Sequence, residues 1–340
     1  MILRFLGISK TVQMIRPNAA LIVLCSVVCF VTSFDSGCRS APSRMIISVI
    51  PGQSSESMWV TEHAGVNEAA AKEKVGTYWN GPTEEGDVEQ QIVLAERAIR
   101  SGNMGLILSP SNPFALNTVI QRSLDSGMSV VIVGTPVSLK PEKMLSFVLN
   151  DVEETGKLAA RRMGDILNRK GEVLILGFDP LSSRNGDRSS AFETTLSREE
   201  PQISVVEKIK GPFSFGQAEL AAEKAIKAHP HLSAIFSLTT TATRGAIAAV
   251  RTTGSAHQIQ IVGCDHNLDL LYLLRQGAVD SLIAQNMRAM GIMAVSSVMA
   301  QSRGDQVPPY SYVKPVLLTR ENIDDESIQT MLMMDWRFKS

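Results

Sequence analysis

The stretch Gly76-Thr77-Tyr78-Trp79-Asn80-Gly81-Pro82-Thr83 has the glycine spacing of a phosphate-binding loop. Pro82 stands where such a loop carries the lysine that reaches the phosphates, and proline lacks the backbone N–H that would help cradle one. No G-x-G-x-x-G opens a helix after a strand, and no G-x-S-x-G elbow presents a serine nucleophile. The histidines are His63, His229, His231, His257 and His266. His229 and His231 flank Pro230 in a predicted helix–strand turn and read as surface residues, and His63 sits in a predicted early helix with no partner at ligand spacing. His266 follows a predicted strand end, where it can face a ligand, shape a turn or cap a helix. The four cysteines are Cys25, Cys29, Cys38 and Cys264, with no C-x-x-C pair and no Cys/His cluster, so neither a metal site nor an internal disulfide is expected. Nothing in these patterns asks for acid–base, covalent, metal or cofactor chemistry, so no cofactor is expected. Recognition by hydrogen bonding and stacking is what the composition leaves.

The balance of 33 basic and 34 acidic residues, spread along the chain, lacks the clustered cations that nucleic-acid binding needs. Residues 1–37 read as an export signal: Arg4, Lys10 and Arg16 precede an uncharged apolar run from Ala19 to Val31, too short to span a bilayer comfortably. Ser36-Gly37-Cys38 then resembles a bacterial lipobox, with Asp35 where that pattern has an aliphatic residue. The expectation is cleavage before Cys38, lipidation of its thiol, and a polar linker over 38–43. An ordinary signal peptide or an uncleaved anchor are the other readings of the same segment.

From Met45 onward, β-branched runs alternate with amphipathic stretches. Predicted strands are Met45–Ile50, Met104–Leu108, Ser129–Val133, Leu145–Leu149, Glu172–Leu176, Ile203–Ile209, Ala234–Ser237, Gln258–Val262 and Asp280–Ala284. Predicted helices include Val88–Arg100, Thr155–Leu167, Ala218–Lys227, Thr243–Arg251 and Met287–Met299. Continuous apolar strands such as Val130-Val131-Ile132-Val133 imply burial on both faces, hence parallel sheets covered by helices. Length and a restart of the pattern near Asn150-Asp151 predict two doubly wound α/β lobes. In open sheets of this kind ligands bind beyond the carboxyl ends of strands, so the residues just after each strand are the informative ones.

Several of those residues fall into an ordered set of motifs. Ser54-Ser55-Glu56-Ser57-Met58-Trp59 follows the first strand, and Asp187-Arg188-Ser189-Ser190-Ala191-Phe192 opens a helix. Ile261-Val262-Gly263-Cys264-Asp265 and Ala284-Gln285 close two later strands, and Pro315 to Ile323 forms a final strand and tail. In this order the chain from Met45 to about Asp324 resembles the type I periplasmic binding proteins of the ribose-binding protein and LacI-regulator group.

The resemblance implies two parallel-sheet lobes joined by a three-strand hinge, with a solute trapped between them. The first lobe would comprise 44–150 plus 286–310, the second 151–285 plus 311–330, and 331–340 would be a tail. It implies ligand contacts from Arg188, Asp265, Gln285, Trp59, Phe213, Met58, Ser55, Thr135 and Thr239. Arg188 offers a donor fork for adjacent oxygens, Asp265 accepts from neighbouring hydroxyls, and Gln285 both donates and accepts. Trp59 and Phe213 have flat faces suited to the C–H side of a sugar ring. Each has a second reading: Arg188 pairing with Asp187 or Glu193, Asp265 capping the next helix, Trp59 and Phe213 packing in the core. The chain departs from many sugar-binding relatives in having Gly134-Thr135-Pro136 in place of an Asp-Arg pair and Leu238-Thr239-Thr240 in place of Asn-Asp. A site with fewer charges and more room follows, fitting a solute other than ribose.

The function implied is the solute-binding component of an ABC importer, periplasmic or cell-surface, held to the membrane only by its lipid and recognised by membrane permease subunits. A sensory binding protein signalling to a receptor kinase is the alternative with the same site. A DNA-binding regulator would need a helix-turn-helix where the apolar segment lies, and an α/β enzyme would work through Asp265 and His266. On this reading Asp265→Ala abolishes solute binding and leaves the unliganded melting point nearly unchanged.

Overall fold

A computed structural model describes residues 45–333 apart from 55, 56, 85, 180–182, 212 and 257. The expected signal, Cys38, the linker and Ser55 therefore lie outside the described residues. The chain begins with β1 (Ile46–Ile50), α1 (Ser57–Glu73), β2 (Gly76–Trp79), α2 (Val88–Arg100) and β3 (Gly105–Leu108). It continues through α3 (Asn117–Asp125), β4 (Ser129–Gly134) and β5 (Leu145–Asn150). The pattern restarts with α4 (Val152–Ile166), β6 (Gly171–Phe178), α5 (Ser183–Glu199), β7 (Ile203–Lys210) and α6 (Phe215–Ala228). Then come β8 (Leu232–Ser237), α7 (Thr240–Thr252), β9 (Gln260–Cys264), α8 (Leu268–Arg275) and β10 (Ser281–Ala284). Last are α9 (Met287–Arg303), β11 (Tyr310–Val313), β12 (Val316–Thr319) and α10 (Glu326–Leu332).

The strands form two six-stranded sheets, ordered β2-β1-β3-β4-β5-β11 and β7-β6-β8-β9-β10-β12. All neighbours are parallel except β10 and β12. Alternate residues of each apolar strand feed opposite layers. Val131 and Val133 face α1 and α9, whereas Val130 and Ile132 face α2 and α3. In the second lobe Ile235 and Leu282 pack under α6, α7, α8 and α10, while Phe236 and Ile283 meet α4 and α5. A period-two strand covered on both sides buries every residue, which is why these strands read as unbroken apolar runs.

Two strands escape the sequence reading. β2 and β11 are four-residue edge strands with exposed positions, Tyr78 and Tyr312 among them, so they lack the apolar run of a central strand. β11 pairs with β5, which corrects the lobe boundary: the third crossing falls at Lys314-Pro315 and not at residue 310. α10 corrects the other end, because Met331 and Leu332 belong to the second lobe's core and not to a tail.

The first lobe is completed by α9, which returns to pack against α1. A Cβ on Gly65 would sit 2.0 Å from the Arg288 carbonyl oxygen, and one on Gly291 would sit 2.4 Å from that of Glu62. Only glycine at both places lets the two backbones touch. Gly65→Ala is expected to lower stability by about 1–3 kcal/mol through overpacking. Denaturant titration, with Gly216→Ala as an unobstructed control, checks it; a midpoint equal to the wild type would contradict the packing.

Candidate functional site

Nearly every loop that leaves the carboxyl end of a central strand opens onto one cavity of about 720 Å³ between the lobes. From the first lobe come Gly52, Met58 and Trp59 after β1, Ser109 to Ser111 after β3, Gly134 and Thr135 at the end of β4, and Asn150 at the end of β5. From the second come Thr240 after β8, Asp265 to Asn267 after β9, and Gln285 after β10. The volume lies within the ~300–1,000 Å³ of ordinary small-molecule sites.

The first-lobe wall is held by a buried amide. Gln91 on α2 donates to the carbonyls of Pro51 (3.1 Å) and Ser109 (2.8 Å) and accepts from the N–H of Ser111 (3.0 Å), tying the loops after β1 and β3 together. Trp59 half-packs on the apolar core and half-faces the cavity, and its ring fits because Gly52 has no Cβ, which would lie 2.8 Å from Cζ2. Both readings of Trp59, core and cavity, thus describe it.

The second-lobe wall centres on Asp265. Its backbone is in the left-handed region at φ 65°, unusual for a residue with a side chain, while its N–H stays bound to the carbonyl of Ile283. Arg188 donates to both carboxylate oxygens, each at 3.2 Å, and to the carbonyl of Leu238 at 3.2 Å. Gln285 donates to Asp265 through Nε2 at 2.5 Å, and Asn150 donates to the Gln285 carbonyl oxygen. Burial pushes the neighbouring His266 imidazole below its ordinary range, which keeps it neutral. Burial also drives the Cys264 thiol up to about 12, so it is no nucleophile. Asp265 is therefore the single charged side chain among the described lining residues, and a buried guanidinium neutralises it.

Of the residues singled out from sequence, Met58, Trp59, Thr135, Asp265 and Gln285 meet at this cavity. Arg188 lies behind the wall, its fork engaged by Asp265 and not by Asp187 or Glu193. Thr239 caps α7, accepting from the N–H of Ala242, and Thr240 takes the lining position. Asn267, not Asp265, caps α8. Phe213 packs against the second lobe's core and is absent from the lining, because the apolar layer beneath α6 and α7 claims its ring. Ser109 to Ser111, Asn150 and Asn267 were not read as site residues. The rule that strand ends carry the site, applied to Leu108 and Leu149, points to the first two groups.

The sequence profile described as "Periplasmic binding protein domain" matches residues 47–306, most of the chain. The chain belongs to the periplasmic binding protein family. Among curated members it is 26% identical over 204 residues to the D-ribose/D-allose-binding protein of Pseudomonas aeruginosa, covering 59% of this chain and 63% of that protein's length. It is 24% identical over 213 residues to the ribose import binding protein of Bacillus subtilis, covering 63% of this chain and 68% of that one. Among solved structures, a sugar-binding protein of a sugar ABC transporter from Bacillus halodurans superposes with a TM-score of 0.77 at 24% identity, covering 82% of this chain and 99% of the other. The two lobes with three crossings are the type I architecture of this periplasmic binding protein family.

Proposed function

We propose that this chain is the solute-binding component of an ABC importer and captures a neutral polyol, a sugar in the first instance, by closure of the lobes around it. The observation that carries the reading is the cavity's charge pattern. One carboxylate, already balanced by Arg188, stands among serine, threonine, asparagine and glutamine side chains, with Trp59 lining the same cavity. A charged solute would enter with no counter-charge to meet it, whereas vicinal hydroxyls find acceptors in Asp265 and Asn150, both kinds of partner in Gln285, and an apolar plate in Trp59. The names of the two curated relatives, a ribose/allose-binding protein and a ribose import binding protein, support the same class. Unlike a site built on paired charges in both lobes, the first-lobe wall here offers Gly134 and Thr135, which favours a larger or less hydroxylated solute than a pentose.

Each lobe carries part of the contact set, so the solute stabilises the closed arrangement over the open one. Export and lipidation at Cys38 belong to the same proposal, as do permease subunits as the partners that read the closed form. A thermal-shift screen of residues 38–340 against sugars, polyols, nucleosides, amino acids and sugar phosphates tests it. A neutral polyol at a hundred times its Kd adds about 2.7 kcal/mol of stability by mass action, and the solute is recovered unchanged. A shift produced by amino acids or phosphates alone, or a solute returned chemically altered, would overturn the reading.

A further inference from the structure

Ionised Asp265 can only accept hydrogen bonds and Arg188 can only donate them. Those two facts set the direction of every bond that follows. Gln285 must turn Nε2 toward the carboxylate, and does so at 2.5 Å. Its carbonyl oxygen is thereby aimed the other way, where Asn150 Nδ2 donates to it. Reversing either amide would set like against like. One polarised chain therefore runs from Arg188 through Asp265 and Gln285 to Asn150, whose carbonyl oxygen is its last acceptor.

The chain crosses the hinge. Asn150 closes β5 at the first crossing and Gln285 lies on the second. Asp151, the next residue, caps α4 and donates its N–H to the carbonyl of Val313 beside the third. Asn150 is also buried while contributing to the cavity wall, so one side chain touches both the joint and the site.

We propose that Asn150 is a positioning residue for solute capture, orienting the Gln285 amide so that a hinge crossing is bonded to the Asp265 carboxylate in the arrangement that receives the solute. This rests on the cleft being a sugar site. Asn150→Asp tests it with almost no change of shape. An ionised carboxylate there faces the Gln285 carbonyl oxygen, and the amide can then serve only one of its two acceptors. Protonating that introduced carboxyl restores an O–H donor and hence the original direction.

The measurement is titration calorimetry of residues 38–340 with D-ribose, D-allose and D-glucose at pH 8 and pH 5. The wild type, which shares Asp265 and His266, is the control for other titrations. At pH 8 Asn150→Asp is expected to bind about tenfold or more weakly than the wild type, the loss typical of one broken hydrogen bond to a charged network. At pH 5 the gap closes to within about threefold. Asn150→Leu, which has no donor at any pH, stays weak at both. If Asn150→Asp binds as the wild type does at pH 8, or is equally weak at both pH values, the positioning role is refuted while the sugar site stands. If the wild type itself binds none of the sugars, the sugar-site reading fails and this inference falls with it.

Discussion

Asp265→Ala is expected to melt far below the wild type as well as to lose solute binding. Arg188 is only 3% exposed, and its guanidinium is held by the two carboxylate oxygens and one carbonyl. Its Nε already has no partner among the described residues. Removing the carboxylate strands a buried cation, a change that costs about 3–5 kcal/mol and lowers Tm by on the order of 10 °C in a protein of this size. The ion pair argues against the expectation that unliganded Asp265→Ala melts nearly as the wild type does: the carboxylate lines the cavity and also balances a buried guanidinium. Arg188→Met/Asp265→Leu separates the roles. Replacing both members by apolar groups recovers most of the stability, because the paired charges contribute little beyond balancing each other, yet the cleft then has no carboxylate and binds no sugar. Calorimetric melting of the single and double variants measures this. A single variant as stable as the wild type would show that the pair does not hold in solution.

Stability should fall steeply as the pH is raised from about 5 to 9, and Glu62 should be the cause. Glu62 lies on α1, fully buried behind the cavity wall, with one oxygen accepting from the Ser109 hydroxyl at 3.4 Å and the other unpartnered among the described residues. Burial raises its pKa from 4.5 to about 8, and the Ser109 bond offsets only part of that. Between those values the folded state holds a proton that the unfolded chain has released. The proton-linked stability is therefore fully present below pH 4.5 and disappears as the pH rises through about 8. At 1.36 kcal/mol per unit of pKa, the span is on the order of 4–5 kcal/mol. Glu62→Gln, neutral throughout, should flatten the profile and be the more stable protein at pH 9. Urea titrations of both proteins from pH 5 to pH 9 decide it; parallel curves would place the titration elsewhere.

The cavity side of these predictions was partly legible without coordinates. Trp59, Asp265 and Gln285 stand immediately after or near the ends of apolar strands, and such ends converge on one crevice in a doubly wound sheet. Partnerships were less legible. Arg188 lies within α5 with Asp187 before it and Glu193 five residues on, so its local sequence shows acidic residues close by and nothing of a remote partner. The fold instead carries it to a carboxylate 77 residues away. Glu62 carries no signal of its own in the sequence, and the close approach of α9 is what removes its water.

What the sequence determined by itself was the layered α/β architecture and which strand ends open onto the shared cavity, because the strand and helix periods and the strand-end rule are local patterns that survive in one dimension. Tertiary structure alone decided which groups face one another. It put Arg188 behind Asp265, made Thr239 a cap and Thr240 a lining residue, sent Phe213 into the core, and strung Asn150, Gln285 and Asp265 across the hinge. The reason is physical: burial and hydrogen-bond direction depend on the distance between segments remote in sequence, and no local pattern encodes a distance of that kind.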